Sequence, residues 1–248
     1  MKIIKYKKTT KGKYKIFLDD DSELTLYEDV ILKFELLLKK EITTSMILDV
    51  YNFNQECDVY YVALDSINRR FKSVYDTKEF LLKKDYPVEM IEKALDKLIN
   101  QGYLNDRSFA KSYINNQIIT TNKGPYKIRR ELSEHRVDLN IVDEELVIFD
   151  CDTQIEKINK VASRLYKSNR SRGGAVLRKK IMSDLISLGY DSETILKVID
   201  DFDFSNNKDI ASKEYEKVYR RLSKKYEGKE LEYKIKEKLY QKGLYYED

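Results

Sequence analysis

Over residues 2–27 apolar and polar positions alternate roughly in twos. "KIIKYKK", "KYKIFL" and "ELTLYE" are separated by "TTKG" and "DDDS", stretches of turn composition. This pattern predicts a small antiparallel sheet. The period then changes: "EDVILKFELLLKK" and "TTSMILDVYNF" carry apolar residues at helical spacing and predict two amphipathic helices, which complete an N-terminal segment 1–58. From about Tyr60 onward the pattern is helical throughout.

One corner is unusually explicit. In "QGYLNDRSFAKSY" (101–113), Gly102 supplies the positive φ that ends a helix in a Schellman turn, and Tyr103 is placed to rest on Leu98. Asn105 can cap the next helix, with Asp106 in its first turn beside the positive end of the dipole. Leu104 and Phe109 take the two positions of a hydrophobic staple. Phe109, Ala110, Tyr113, Ile114 and Gln117 continue one face, so a helix restarts with almost no linker.

A related pattern recurs: a leucine, three residues, a turn residue, then a larger apolar side chain. It appears as "LLKKDY" (81–86), "LSEHRV" (132–137), "LISLGY" (185–190) and "LYQKGL" (239–244), with 51, 53 and 54 residues between successive leucines. Gly189 and Gly243 suit the turn position; Asp85 and Arg136 must either adopt left-handed geometry there or cap the helix differently. Ile91 and Leu95, Val142 and Leu146, and Ile195 and Ile199 follow at matching distances. The phasing predicts a mainly α chain of tandem three-helix repeats, 59–106, 107–150 and 151–205, with a truncated fourth over 206–248. The expected architecture is an elongated, curved array preceded by the N-terminal sheet.

Composition narrows the class. The chain has 248 residues, 36% of them charged, with eight glycines and two prolines, which suits thin helical layers. Cys57 and Cys151 stand far apart without a CxxC pair, so both read as semi-buried thiols in a reducing compartment. No apolar run approaches the ~20 residues that span a bilayer, and the N-terminus lacks the apolar core of a signal peptide. A cytoplasmic protein without membrane contact is expected.

Net charge is only +4, but its signs are segregated. The first fifteen residues hold seven lysines and no acid. No acid lies between Asp106 and Glu131, a window with Lys123, Lys127, Arg129 and Arg130. None lies between Glu156 and Asp184, which encloses Arg164, Lys167, Arg170, Arg172, Arg178, Lys179 and Lys180. Arg69 and Arg70 mark the same phase in the first repeat; Arg220, Arg221, Lys224 and Lys225 mark it in the fourth. Charges that merely solubilise a surface interleave their signs. Stacked repeats would gather these segments into a positive stripe suited to an elongated anionic partner, nucleic acid or a filament containing it.

Catalytic signatures are missing from the sequence. The one histidine, His135, sits in a polar stretch and reads as a helix-end residue; no HExxH or Cys/His cluster occurs. The glycine pair of "SRGGAV" (171–176) lacks the flanks of a phosphate loop, and "DDDSE" (19–23) reads as a hairpin turn. Neither enzyme chemistry, a cofactor nor a metal is expected.

"GYLNDRSFAKSYI" (102–114), followed by "KGPYKIRREL" (123–132), resembles the signature of the RecX regulatory family, and the likeness extends over roughly 60–205. The resemblance implies a modulator of the RecA recombinase that lies along the RecA filament on single-stranded DNA. It would alter, and by family habit inhibit, ATPase activity, strand exchange and filament stability in recombinational repair and the SOS response. It places Lys123, Lys127, Arg129 and Arg130 in the family's basic segment, and makes Gly102, Tyr103, Leu104, Asp106, Phe109 and Ala110 structural. It supplies no catalytic residue. Arg136 departs from the family's frequent glycine and Asn105 from its frequent aspartate. A monomer with weak direct affinity for DNA is expected; the alternative is an autonomous DNA-binding repeat protein that needs no protein partner.

Overall fold

The computed structural model describes residues 1–9, 12–169, 171–205 and 208–244. Strands β1 (Ile3–Lys8), β2 (Lys13–Leu18) and β3 (Glu23–Tyr27) form an antiparallel sheet in the order β1-β2-β3. Ile16 pairs with Tyr6 on one side and with Leu24 on the other. The alternation buries Ile16, Leu18, Leu24 and Leu26 on one face. "DDDS" is a tight turn: Asp21 has φ +63°, and the Ser22 amide donates to Asp20 Oδ1 at 3.1 Å.

Residues 28–40 do not form one helix. They divide into α1 (Glu28–Lys33) and α2 (Leu36–Lys39), because Glu35 at φ +53° turns the chain between them. That turn brings Leu36 into the sheet core, fully buried, where the Tyr6 hydroxyl donates to its carbonyl at 2.7 Å. Helix α3 (Thr44–Arg69) then runs unbroken for 26 residues, through positions 58 and 59, since no glycine or proline interrupts it. Its first half contributes Val50 and Cys57 to the core under the sheet; Val59, Tyr60, Ala63 and Ile67 line the next core.

The remaining helices follow in order: α4 (Val74–Leu82), α5 (Val88–Asn100), α6 (Asp106–Thr120), α7 (Pro125–Glu134) and α8 (Leu139–Leu146). After them come α9 (Cys151–Ser168), α10 (Gly174–Ser187), α11 (Ser192–Ile199), α12 (Lys208–Leu222) and α13 (Gly228–Gln241). Asp85, Arg136, Gly189 and Gly243 all have positive φ, so the two non-glycine turns accept left-handed strain rather than cap otherwise. The described residues divide into two compact units, one of Met1–Phe109 with His135–Val137, the other of Ala110–Glu134 with Asp138–Asp248.

In the first unit α5 ends in a Schellman turn: Tyr103 N–H donates to the Leu98 carbonyl at 2.9 Å and Gly102 N–H to Ile99 at 2.9 Å. The apolar plug differs from expectation. Tyr103 is half exposed, and the next residue, Leu104, shares the core with Leu98 instead. Asn105 caps α6 by accepting from Ser108 N–H at 2.9 Å. Asp106 turns away from its own helix and accepts from the Val74 amide at 2.9 Å, at the start of α4. Burial holds its carboxyl above the usual range, although that bond works the other way. His135 closes the same corner, its Nδ1 2.8 Å from Asp76 and its ring edge-on to Phe109.

The sheet is tied to α3 through Asp58. Tyr27 and Tyr86 hydroxyls donate to it at 2.7 and 2.6 Å, and Lys13 Nζ lies at 3.0 Å. Burial alone would raise the Asp58 pKa; hydrogen bonds from Tyr86, Tyr27 and Lys13 outweigh it and hold the group below the usual carboxylate value. Tyr86 is pushed up to about 12, first by burial and then by its bond to Asp58. The cysteines part company: Cys57 is buried, its thiol pushed up to about 11 by desolvation, whereas Cys151 is exposed.

In the second unit main chain meets main chain. After α10, the Leu188 carbonyl accepts from Gly124 N–H at 2.7 Å and the Gly189 carbonyl from Tyr126 N–H at 3.0 Å, at the start of α7. After α13, the Lys242 carbonyl accepts from Gly173 N–H at 2.7 Å, at the start of α10. The last carbonyls of one helix thus satisfy the first amides of another, joining opposite dipole ends. Such approach leaves no room for a side chain: a Cβ on Gly124 would lie 2.5 Å from the backbone carbon and oxygen of Gly189.

Three substitutions test this description. Gly124→Ala should cost about 3 kcal/mol in urea unfolding through the clash and its lost hydrogen bonds. Gly102→Ala, whose Cβ meets open space, should cost only the left-handed strain, about 1 kcal/mol. Asp58→Asn should cost about 2 kcal/mol at neutral pH. Because the folded Asp58 pKa is depressed, its contribution is present above the unfolded value and lost as pH falls through the folded one. Wild-type stability should therefore drop below pH ~4 more steeply than that of the variant.

Candidate functional site

The runs of cations predicted as a binding face differ in what surrounds them. Arg69, in the last turn of α3, pairs with Asp65 at 2.5 Å, while Arg70 is exposed without a carboxylate partner. In the segment 123–130, Lys123 lies 2.7 Å from Glu131, which also accepts from the Tyr113 hydroxyl at 2.9 Å. Arg129 holds Asp143 with two bonds, of 2.6 and 2.9 Å, and that hydrogen bonding keeps the Asp143 carboxyl below its usual range. Lys127 and Arg130 have no carboxylate partner, and Lys127 lies against the docked Gly189 turn.

The third run is also partly neutralised. Arg178 reaches Asp200 at 2.8 Å and Lys180 reaches Asp184 at 2.9 Å. Arg164, Lys167, Arg172 and Lys179 remain without an ion pair, and Arg172 lines a small cavity with Gly173, Gly174 and Phe204. Arg170 lies outside the described residues. Residues 178–180 sit in the second turn of α10, which begins at Gly174 and not at the cations.

The fourth run is different. Lys213, Glu216, Lys217, Arg220, Arg221 and Lys224 line one shallow groove of about 360 Å³ along α12. Arg221, Lys224 and Lys225 are exposed and unpaired, as is Lys213, which reading charge along the chain as runs does not single out. Its signal was the helical period: 213, 217 and 221 follow one another at four-residue steps.

Among the described residues no group of three His, Cys, Asp or Glu is placed to hold a metal, and no helix is long and apolar enough to cross a membrane. Gly102, Leu104, Asp106 and Phe109 serve the corner between α5 and α6, and Gly189 and Gly243 serve turns docked on earlier helices.

A family model described as the second three-helix domain of RecX matches residues 105–146. A "Regulatory protein RecX" from Streptococcus sanguinis is 31% identical over the whole of this chain and 96% of its own length. This chain belongs to the RecX regulatory protein family. Another family member, from Listeria welshimeri, is 30% identical over 98% of this chain and 92% of its own. A crystal structure of regulatory protein RecX superposes with a TM-score of 0.71 at 28% identity, covering 81% of this chain and 99% of the other. RecX from Lactobacillus salivarius gives 0.57 at 25% identity, covering 59% and 95%. Both the helical array and its small sheet thus sit in a family of regulatory proteins.

The pairing pattern sets an expectation for charge reversal. Changing Arg178, Lys179 and Lys180 together to glutamate turns two ion pairs into repulsions and should lower stability by about 1 kcal/mol. Lys179→Glu alone should leave the urea midpoint unchanged, and is the cleaner probe of binding.

Proposed function

We propose that this protein binds the filament that RecA forms on single-stranded DNA and restrains it, lowering ATP hydrolysis, strand exchange and filament stability. The observation that carries this reading is family membership along essentially the whole chain, with relatives named as regulatory proteins. The protein acts by binding and not by catalysis, in the cytoplasm, as a monomer whose three-helix repeats are the contact modules.

The charge pattern supports a protein-containing target over bare DNA. Arg129 with Asp143, and Arg178 with Asp200, present both signs side by side on partly exposed surface. A phosphate backbone repels the acidic member of each pair, whereas a protein groove can complement both. The unpaired cations, among them Arg130, Arg164, Lys167 and Lys179, supply electrostatic steering toward an anionic filament.

Titration of the protein into the DNA-dependent ATPase assay of its host RecA tests the reading. Hydrolysis should fall in a saturable manner at protein well below RecA, and Lys179→Glu should shift the midpoint upward. An unchanged rate at equimolar protein, with tight binding to naked DNA, would favour an autonomous DNA-binding protein instead.

A further inference from the structure

We propose that the outward face of the N-terminal sheet binds a single strand of nucleic acid, with phosphates on Lys5, Lys7 and Lys15 and a base on the Phe17 ring. The inference takes from the reading above only that DNA is part of the target.

Strand parity brings these residues together. The seven lysines among the first fifteen residues include Lys5, Lys7, Lys13 and Lys15, all at odd positions. At even positions Ile16, Leu18, Leu24 and Leu26 are buried, and Tyr6 and Tyr14 pack against the same core. From Lys5 onward, odd positions of the sheet therefore point away from that core. The register agrees: Lys5 is opposite Phe17, and Lys7 is opposite Lys15. On the other side of β2, Phe17 faces Glu23 and Lys15 faces Thr25.

The arrangement is unfavourable without an anion. Lys7 and Lys15 are direct cross-strand partners, about 5 Å apart at Cα, and Lys5 lies diagonal to Lys15; like charges so placed repel. Glu23 meets Lys15 and Asp58 meets Lys13, so two of the four charges are answered within the chain. Lys5 and Lys7 are exposed, and no carboxylate among the described residues reaches either. The lysines of β1 have a bland reason, since charge on an edge strand discourages pairing with another chain. That reason does not extend to Lys15 or Phe17, which stand on the central strand.

The kind of partner follows from Phe17. Its ring is only partly covered and lies outside the core cluster beneath the sheet. Lys15 Nζ is 5.7 Å from the ring centre, and Lys5 stands across from it on β1. Lys5 and Lys7 are about 7 Å apart along β1, close to the repeat of phosphates on an extended strand. A sheet that shows an aromatic ring between cations is a platform for unpaired bases: the ring takes a base and the ammonium groups take the flanking phosphates. Glu23 and the acidic turn 19–21 border the face, which keeps the strand over β1 and β2.

The test uses the full chain and a fluorescent oligothymidylate, with anisotropy measured over a series of salt concentrations. Each neutralised phosphate contributes about 0.7 to the slope of log affinity against log salt. Lys5→Gln with Lys7→Gln should lower that slope by about 1.4 and weaken binding at low salt at least about tenfold. The urea midpoint of this double variant should stay at or above wild type, because a repulsion has been removed. Phe17→Leu should weaken binding about tenfold at unchanged slope, and Phe17→Tyr should keep wild-type affinity. Glu23→Gln releases Lys15 and should tighten binding, with the slope steeper by about 0.7. Lys83→Gln with Lys229→Gln removes the same charge from exposed positions elsewhere and should leave affinity and slope near wild type. Circular dichroism checks that each variant is folded.

Wild-type affinity and slope in the Lys5 and Lys7 double variant overturn the proposal, as does a wild-type chain that leaves the oligonucleotide unbound at low salt. An equal loss in the Lys83 and Lys229 control also overturns it, since net charge then governs binding. Loss of the effect on RecA ATPase with oligonucleotide binding intact would assign the face to an acidic protein surface and overturn it too, leaving the filament reading standing. Loss of oligonucleotide binding in the sheet variants, with no wild-type effect on RecA, would sink the filament reading and keep the strand platform.

Discussion

Where the turn after one helix delivers its carbonyls to the first amides of an earlier helix, two termini lose their exposed polar groups in a single contact. In the second unit this occurs between the Gly189 turn and the start of α7, and again between the Gly243 turn and the start of α10. A helix end carries several unsatisfied backbone groups, and a buried unsatisfied group costs about 1–3 kcal/mol. The docked turns remove that penalty with bonds of 2.7–3.0 Å. They also fix how closely α7, α10 and α13 follow one another, which apolar burial alone leaves adjustable. Left-handed geometry at the turn residue is what aims the carbonyls.

The first unit solves its own version of the problem with side chains. Asp58 gathers two tyrosine hydroxyls and a lysine from β2, β3 and the turn after α4, so the sheet and the helices share one charged centre. His135 and Asp76 close the corner at the start of α4. Polar chemistry in this unit is thus spent on assembly.

Much of the architecture could be read from the sequence because its signals are local. A left-handed turn leaves a leucine, a turn residue and an apolar residue within six positions, and each of the four sites takes that geometry. The Asn105 cap was legible for the same reason. What escaped was set by residues distant along the chain. Glu35 breaks a helix because Leu36 has a place under the sheet. Gly124 faces Gly189 across sixty-odd residues of sequence. Charge was the least legible feature: windows free of acids looked uncompensated, yet Lys123 and Arg129 are paired with carboxylates that lie outside those windows. Lys213 was missed because it belongs to a face and not to a run.

Eight glycines in 248 residues make this a glycine-poor chain. At five of them, Gly124, Gly173, Gly174, Gly189 and Gly243, an added Cβ would come within 2.5 Å of another segment. The instructions for assembling the second unit are therefore written partly as missing atoms. Information held that way places no demand on the outward side chains of the same helices. The surface of the array is free to be rewritten for a new partner, residue by residue, while the joints beneath it stay as they are.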